Sequence, residues 1–130
     1  MATRDDLRRI ARSLPGCLES GDRFGFYVEV KGKAKGIAWL WAERIDPKKP
    51  RVLNEGVLAI LTPGLAAKEI WLSSNPDVIF TEDHYNGFPA VLVKLELADP
   101  AELEDLMTDA WKAKAPKSVV ADFEAKQSKR

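Results

Sequence analysis

Residues 77–95 constrain the fold more than any other part of the chain, because two strand-like runs flank a turn signal there. Val78–Thr81 and Ala90–Leu97 are rich in the branched and aromatic residues that favour strands. Asn86-Gly87 lies between them and is a favourable turn pair, in a loop longer than two residues. Strands joined in this way pair antiparallel, so the segment predicts a hairpin.

A second hairpin is predicted nearer the N-terminus. Arg23–Val30 alternates in the manner of a strand, and Ile37–Ile45 follows a glycine-bearing turn over 31–36. Val57–Leu61 reads as a further short strand. Together the segments predict an antiparallel sheet of about five strands.

Apolar residues at helical spacing predict four helices around these strands. Thr3 caps the first helix and Pro15-Gly16 stops it. Thr62 caps the second, and Asp99 caps the third. Packed mainly on one face of the sheet, the helices predict an α+β domain. Their apolar sides are Leu7, Ile10, Ala11 and Leu14; Leu65, Ala66 and Ile70, with Leu72 as a further candidate; Leu103, Leu106, Met107, Ala110 and Trp111; and Val119, Val120 and Phe123.

The length of 130 residues suits one domain over 1–130, with a basic tail that frays from about 126. Twenty basic residues balance twenty acidic ones, so there is no global attraction to nucleic acid or to anionic membranes. The charge is uneven, because residues 1–51 carry net +5 and residues 52–110 net −9. One cysteine and one histidine exclude an intrachain disulfide and a structural zinc site. We expect a cytoplasmic monomer or weak dimer with no cofactor, metal or membrane partner.

Several segments resemble the MmcQ/YjbR family, whose fold is described as a frataxin-like double wing. The resemblance implies an α+β fold and a DNA-binding role, which is the family's usual label. Glu82-Asp83-His84-Tyr85 stands where many members carry a lysine-rich stretch ending in His-Trp. The matching segments are Ser13-Leu14-Pro15-Gly16, Phe26 to Lys33, His84-Tyr85, Val91-Leu92-Val93, Leu106 to Trp111 and Ala115-Pro116-Lys117.

Trp39 and Trp41 share one face of a strand, because side chains in a strand repeat every second residue. They form either a stacking platform for bases or part of the core beneath the helices. We favour the core, since large aromatic residues on a sheet covered on one face usually point inward. The basic residues near them form either a solvated turn, which we favour, or a weak phosphate contact. The candidate nucleic-acid-binding residues are Lys31, Lys33, Lys35, Lys48, Lys49 and Arg51.

His84 is the natural candidate for a general base, but its place beside a turn favours an exposed structural role. Cys17 has arginines nearby in sequence, and a small packing role is the simpler interpretation. No phosphate loop, nucleophile elbow or metal motif is present in the sequence. We therefore predict a non-enzymatic interaction domain that binds nucleic acid weakly and without sequence preference. The alternative is a protein-interaction or small-ligand module that uses His84, Tyr85, Trp39 and Trp41.

Overall fold

The computed structural model describes residues 2–21, 24–43, 46 and 48–128. Two predicted strand ends, Arg23 and Ile45, lie outside these described residues, as do the last two residues of the predicted tail. The helices are α1 (Arg4–Arg12), α2 (Leu65–Ser74), α3 (Pro100–Lys114) and α4 (Lys117–Ser128), and short 3-10 helices cover Asp83–Tyr85 and Leu95–Leu97.

The strands are β1 (Cys17–Glu19), β2 (Gly25–Val30), β3 (Lys33–Glu43), β4 (Val52–Leu61), β5 (Ile79–Phe80) and β6 (Ala90–Lys94). They form one antiparallel sheet in the order β1-β2-β3-β4-β6-β5. The predicted α+β class with an antiparallel sheet is confirmed, with six strands instead of about five. The additional strand is β1, three residues long at an edge of the sheet.

The main core lies between one face of the sheet and helices α1 and α3. Trp111 of α3 is fully buried, and its indole Nε1 donates a hydrogen bond to the Pro15 carbonyl oxygen at 2.8 Å. Phe123 of α4 packs edge-on against the same indole, with ring centroids 5.0 Å apart. These contacts hold the end of α1, α3 and α4 together.

The predicted N-terminal caps are present at α1 and α3, whereas the predicted cap of α2 is not. Thr3 and Asp6 form the capping box of α1, and Asp99 accepts a hydrogen bond from the Ala101 amide at the start of α3. The predicted cap at Thr62 is wrong. Helix α2 begins at Leu65 after Gly64, and the Thr62 hydroxyl instead donates to the Gly64 carbonyl oxygen at 2.9 Å.

The predicted apolar side of α2 is also wrong. Leu65, Ala66 and Ile70 are exposed, Ile70 to 70%. The buried residue of this helix is Lys68, which is 4% exposed. Helix α2 packs near β5 and β6 and against the loop between them, where Lys68 donates to two backbone oxygens. Lys68 therefore faces inward, while Trp71 and Leu72 are partly buried against the main core.

The favoured prediction, that Trp39 and Trp41 of β3 pack beneath the helices, is wrong. Ala38 and Leu40 take the helix-facing positions and join the main core. Because a strand alternates, Trp39 and Trp41 lie on the opposite face of the sheet. There they belong to a second apolar cluster, which also contains Val57, Ala59, Phe80, Tyr85, Ala90 and Leu92.

Candidate ligand site on the helix-free face

A concavity of about 260 Å³ opens on the helix-free face, and we call it the aromatic cup. It is lined by Trp39, His84, Tyr85 and Phe88. Trp39 comes from β3, and the other three come from the loop between β5 and β6. Three of the four residues that the sequence proposed as a ligand site are thus brought together. The fourth, Trp41, lies in the cluster next to them.

Trp39 is held from two sides. Its ring lies beside Gly36, which has no side chain. A Cβ placed on Gly36 would lie 3.8 Å from the Cε3 carbon of the indole, an ordinary contact distance. Its Nε1 donates a hydrogen bond to the Tyr85 hydroxyl at 3.1 Å. The hydrogen bond joins the strand wall of the aromatic cup to the loop wall.

The loop wall is shaped by a type II turn over residues 85–88. Asn86 has φ −62° and ψ 131°, and Gly87 has φ +78°. The Phe88 amide donates to the Tyr85 carbonyl oxygen at 3.0 Å and closes the turn. The predicted turn pair therefore adopts a conformation in which Gly87, but not Asn86, requires positive φ.

Lys68 of α2 is hydrogen-bonded to the backbone of this turn. Its Nζ donates to the carbonyl oxygens of Tyr85 at 2.5 Å and of Phe88 at 2.8 Å. The structure gives it no ion pair with a carboxylate in the described part of the chain. Burial lowers the pKa of the Lys68 ammonium, and the charge of Glu69 offsets part of this. Lys68 is not among the site residues predicted from the sequence, although a single lysine within a largely apolar helix is a usable signal.

The rings of the aromatic cup meet edge to face. Trp39 and Phe88 are 6.3 Å apart at an interplanar angle of 64°. Tyr85 and Phe88 are 5.9 Å apart at 87°, and His84 and Tyr85 are 5.7 Å apart at 62°. Such contacts add to the stability of an aromatic cluster beyond its burial. Phe88, which the sequence analysis did not select, is 43% exposed and forms the rim.

A second aromatic pair lies next to the aromatic cup, in the same apolar cluster. Trp41 and Phe80 meet at 5.7 Å, and the Lys94 ammonium lies 5.6 Å from the Phe80 ring centroid. Within the described residues, the buried Trp41 Nε1 has no hydrogen-bond partner. Trp41 therefore contributes apolar area to this face, while its indole N–H remains unsatisfied.

The candidate nucleic-acid-binding residues are not gathered on this surface. Lys31 lies in a two-residue turn with Gly32, and Lys33 begins β3. The other group, Lys48, Lys49 and Arg51, follows the far end of β3, which has 11 residues and spans about 33 Å. Paired residues of an antiparallel sheet share a face, so Lys35 opposite Val28 projects to the helix-bearing side. The two groups are therefore not gathered around the tryptophans, although Arg51 donates a hydrogen bond to the Ala42 carbonyl oxygen at 2.9 Å, one residue after Trp41.

The basic residues of α1 are engaged locally. Arg8 pairs with Asp5 at 3.1 Å and with Glu19 at 3.0 Å, and the Glu19 hydrogen bond raises the pKa of this guanidinium. Arg4 lies 4.6 Å from the Phe24 ring centroid. These arginines stabilise the end of the sheet near β1, and their charge is partly neutralised there.

Two kinds of reactive site can be assessed among the described residues, a nucleophilic thiol and a metal centre. Burial raises the pKa of the Cys17 thiol to about 11, which disfavours the thiolate. No group of three His, Cys, Asp or Glu residues that could hold a metal ion occurs in residues 2–21, 24–43, 46 and 48–128. Across the same residues, no helix is both long enough and apolar enough to cross a membrane.

The fold and the site define an α+β domain with helices on one face of its sheet and an aromatic cup on the other. No family model matches the chain. The uncharacterised proteins Rv2570 of Mycobacterium tuberculosis and Mb2600 of Mycobacterium bovis are each 31% identical to it over 129 residues, covering 95% of this chain and 96% of theirs. The chain belongs to the family of these mycobacterial proteins.

The fold also has a solved relative. The crystal structure of Deinococcus radiodurans protein DR2400, whose family-model domain is DUF419, superimposes with a TM-score of 0.63. The match covers 95% of this chain and 89% of that chain at 22% identity, so it supports the fold alone.

Proposed function

We propose that the protein is a non-enzymatic binding domain that holds a small ligand, or one residue-sized group of a partner, in the aromatic cup. The observation that carries the proposal is the aromatic wall of Trp39, Tyr85 and Phe88, with its turn fixed by Lys68. Ligand pockets are concave, mostly apolar and usually preformed. The volume of about 260 Å³ lies just below the usual range for drug-sized ligands, which suits a compact group.

The test uses Trp39 as a reporter, because its indole N–H is hydrogen-bonded inside the site. The chain has 4 tryptophans, so ¹H–¹⁵N NMR shows a small set of indole signals, and Trp39→Phe assigns the relevant one. We expect at least one of indole, adenosine and choline to shift that signal in a saturable way.

A matched pair of variants locates the binding. Phe88→Ala should weaken it, because the rim ring is lost. Leu18→Ala removes a side chain of similar exposure, 45%, from the far edge of the sheet and should leave it unchanged. If none of the three probes shifts the Trp39 signal at millimolar concentration, the proposed function is wrong.

We propose nucleic-acid binding as a second function, together with membership of the MmcQ/YjbR family that usually carries that label. It is supported by the exposure of Lys31, Lys33, Lys35, Lys48 and Lys49 and by the net +5 charge of residues 1–51. Binding would be weak, salt-sensitive and independent of base sequence, because phosphate contacts carry no sequence information.

Charge reversal in two groups tests this second function. One variant changes Lys31, Lys33 and Lys35 to Glu, and the other changes Lys48 and Lys49 to Glu. We expect each to lower the affinity for duplex DNA at low salt and to reduce its salt dependence. Unchanged affinity in both variants, or no binding by the unmodified protein, contradicts the proposal.

A further inference from the structure

The ring geometry of the aromatic cup restricts the shape of its ligand. A flat ligand such as a nucleobase binds best between ring faces that are close to parallel, so that it stacks on them. Here Tyr85 and Phe88 meet at 87°, and Trp39 and Phe88 at 64°. Rings at such angles form the walls of a corner and present faces from different directions. A corner of this kind suits a compact, rounded group.

The charges around the aromatic cup restrict the ligand further. Among the described residues, those that line it include no lysine or arginine. Glu82 and Asp83 immediately precede His84 in the same turn. The lining that the structure describes therefore lacks the basic side chains that usually bind a phosphate.

Two cations nevertheless come from elements next to the loop. The Lys68 ammonium is buried, and it is hydrogen-bonded to the carbonyl oxygens of Tyr85 and Phe88. The Lys94 ammonium lies 5.6 Å from the Phe80 ring centroid, beside the second aromatic pair. Neither ammonium belongs to a residue that lines the aromatic cup, whose most exposed ring is that of Phe88, at 43%, whereas Tyr85 is 8% exposed. Ring faces attract cations through their quadrupole, and cages of such rings recognise methylated ammonium groups.

We propose that the aromatic cup binds an alkylated ammonium group, as a small quaternary amine or a methylated lysine side chain. This inference rests on the proposed function, because it names the class of ligand for the same site. The ring corner supplies the shape, and the aromatic rings supply the attraction for the positive charge.

The experiment compares choline with 3,3-dimethylbutan-1-ol, a neutral molecule of nearly the same shape, by titration of the Trp39 indole signal. We expect choline to bind roughly two- to twentyfold more tightly, which is the ratio that a cation–π energy of ordinary size produces. Equal affinities would leave the proposed function standing and overturn the cation inference. No binding of either molecule overturns the cation inference, whereas the proposed function fails only if indole and adenosine also leave the signal unchanged.

Two variants identify the source of the preference. Phe88→Leu keeps an apolar rim but removes the ring, so it should weaken choline binding and change the affinity for the alcohol little. Asp83→Asn, at an exposed position, should also weaken choline selectively. Thermal melting of each variant checks that the fold is intact. If Phe88→Leu leaves the ratio of the two affinities unchanged, the ring does not select the charge and the inference is wrong.

Discussion

The ammonium nitrogen of Lys68 lies 2.5 Å from the carbonyl oxygen of Tyr85, although the two residues are 17 positions apart. The same nitrogen reaches the Phe88 carbonyl oxygen at 2.8 Å. Both oxygens also accept backbone hydrogen bonds, from the Phe88 and Ala90 amides respectively. Lys68 therefore links α2 to both ends of the turn that builds the aromatic cup.

We expect Lys68→Met to destabilise the protein by about 1–3 kcal/mol, because two hydrogen bonds from a charged donor are lost at a buried position. The comparison is Lys33→Met, the same change at an exposed lysine, which should stay within about 0.5 kcal/mol of the unmodified protein. Urea denaturation monitored by far-UV circular dichroism measures both. Equal stability of the two variants would mean that the Lys68 contacts contribute nothing.

The lowered pKa of Lys68 adds a prediction about pH. In the folded protein this pKa is below the ordinary value of 10.5, so the unfolded chain binds more protons between the two values. Stability therefore increases with pH across that window, which ends at about 10.5. The stability difference between the unmodified protein and Lys68→Met should accordingly grow towards alkaline pH. A difference that shrinks there would contradict the direction of the shift.

Gly87 should tolerate substitution much less well than His84, which lies three residues earlier in the loop between β5 and β6. The φ of Gly87 is +78°, and an added Cβ would meet nothing within 4 Å, so backbone strain is the main effect. We expect Gly87→Val to cost about 1–2 kcal/mol. His84→Ala changes an exposed side chain and should cost less than about 1 kcal/mol.

Thermal melting of the two variants decides between them, with Gly87→Asn as a graded control, because Asn tolerates positive φ better than Val. A larger loss for His84→Ala would place the histidine in a network that its exposed position does not reveal.

The sequence predicts local features of this fold well, since each depends on residues close in the chain. The capping box of Thr3, the start of α3 at Pro100 and the turn at Gly87 are examples. The burial of Lys68 could not be predicted in this way, because its partners are 17 and 20 residues away. An apolar side of α2 was expected from Leu65 and Ile70, but tertiary contacts decide which side of a short helix is buried.

In the candidate site, too, local features could be predicted from the sequence, and features that depend on distant contacts could not. Alternation along β3 correctly put Trp39 and Trp41 on one face but could not say which face carries the helices. His84 is a candidate because of its imidazole, and Tyr85 because it lies in the same hairpin; the fold of the turn brings both to Trp39. Phe88 is not among the predicted site residues, although an aromatic residue directly after a turn glycine is a usable signal. The distance between the two lysine groups depends on the length of β3, which was predicted to begin at Ile37 instead of Lys33.

Gly25 should be the least replaceable glycine of the sheet. A Cβ at this position would lie 2.7 Å from the Ala38 carbonyl oxygen on the neighbouring strand. We expect Gly25→Ala to cost about 1–3 kcal/mol, because the backbone must move to relieve the overlap. At Gly36 an added Cβ would lie 3.8 Å from the Trp39 ring, an ordinary contact, so Gly36→Ala should be close to neutral. Calorimetric melting curves that rank the two variants in the reverse order would contradict the strand spacing seen here.

Trp41 and Trp111 allow one substitution to be compared at a satisfied and at an unsatisfied indole. Trp111 is 0% exposed and Trp41 is 9% exposed, so replacement by Phe removes similar buried volume from each. The indole N–H of Trp111 donates to the Pro15 carbonyl oxygen at 2.8 Å, whereas that of Trp41 is buried without a partner in the described residues.

Loss of a made hydrogen bond destabilises, while removal of an unsatisfied buried donor relieves a desolvation cost. We therefore expect Trp111→Phe to be the more destabilising of the two by about 1–3 kcal/mol in urea denaturation. The direction follows from the hydrogen bond and not from size, since the change in side-chain volume is the same at both positions. If Trp41→Phe proves as costly as Trp111→Phe, the Trp41 indole has a partner in the folded protein. The helix-free face would then contain a polar contact next to the aromatic cup.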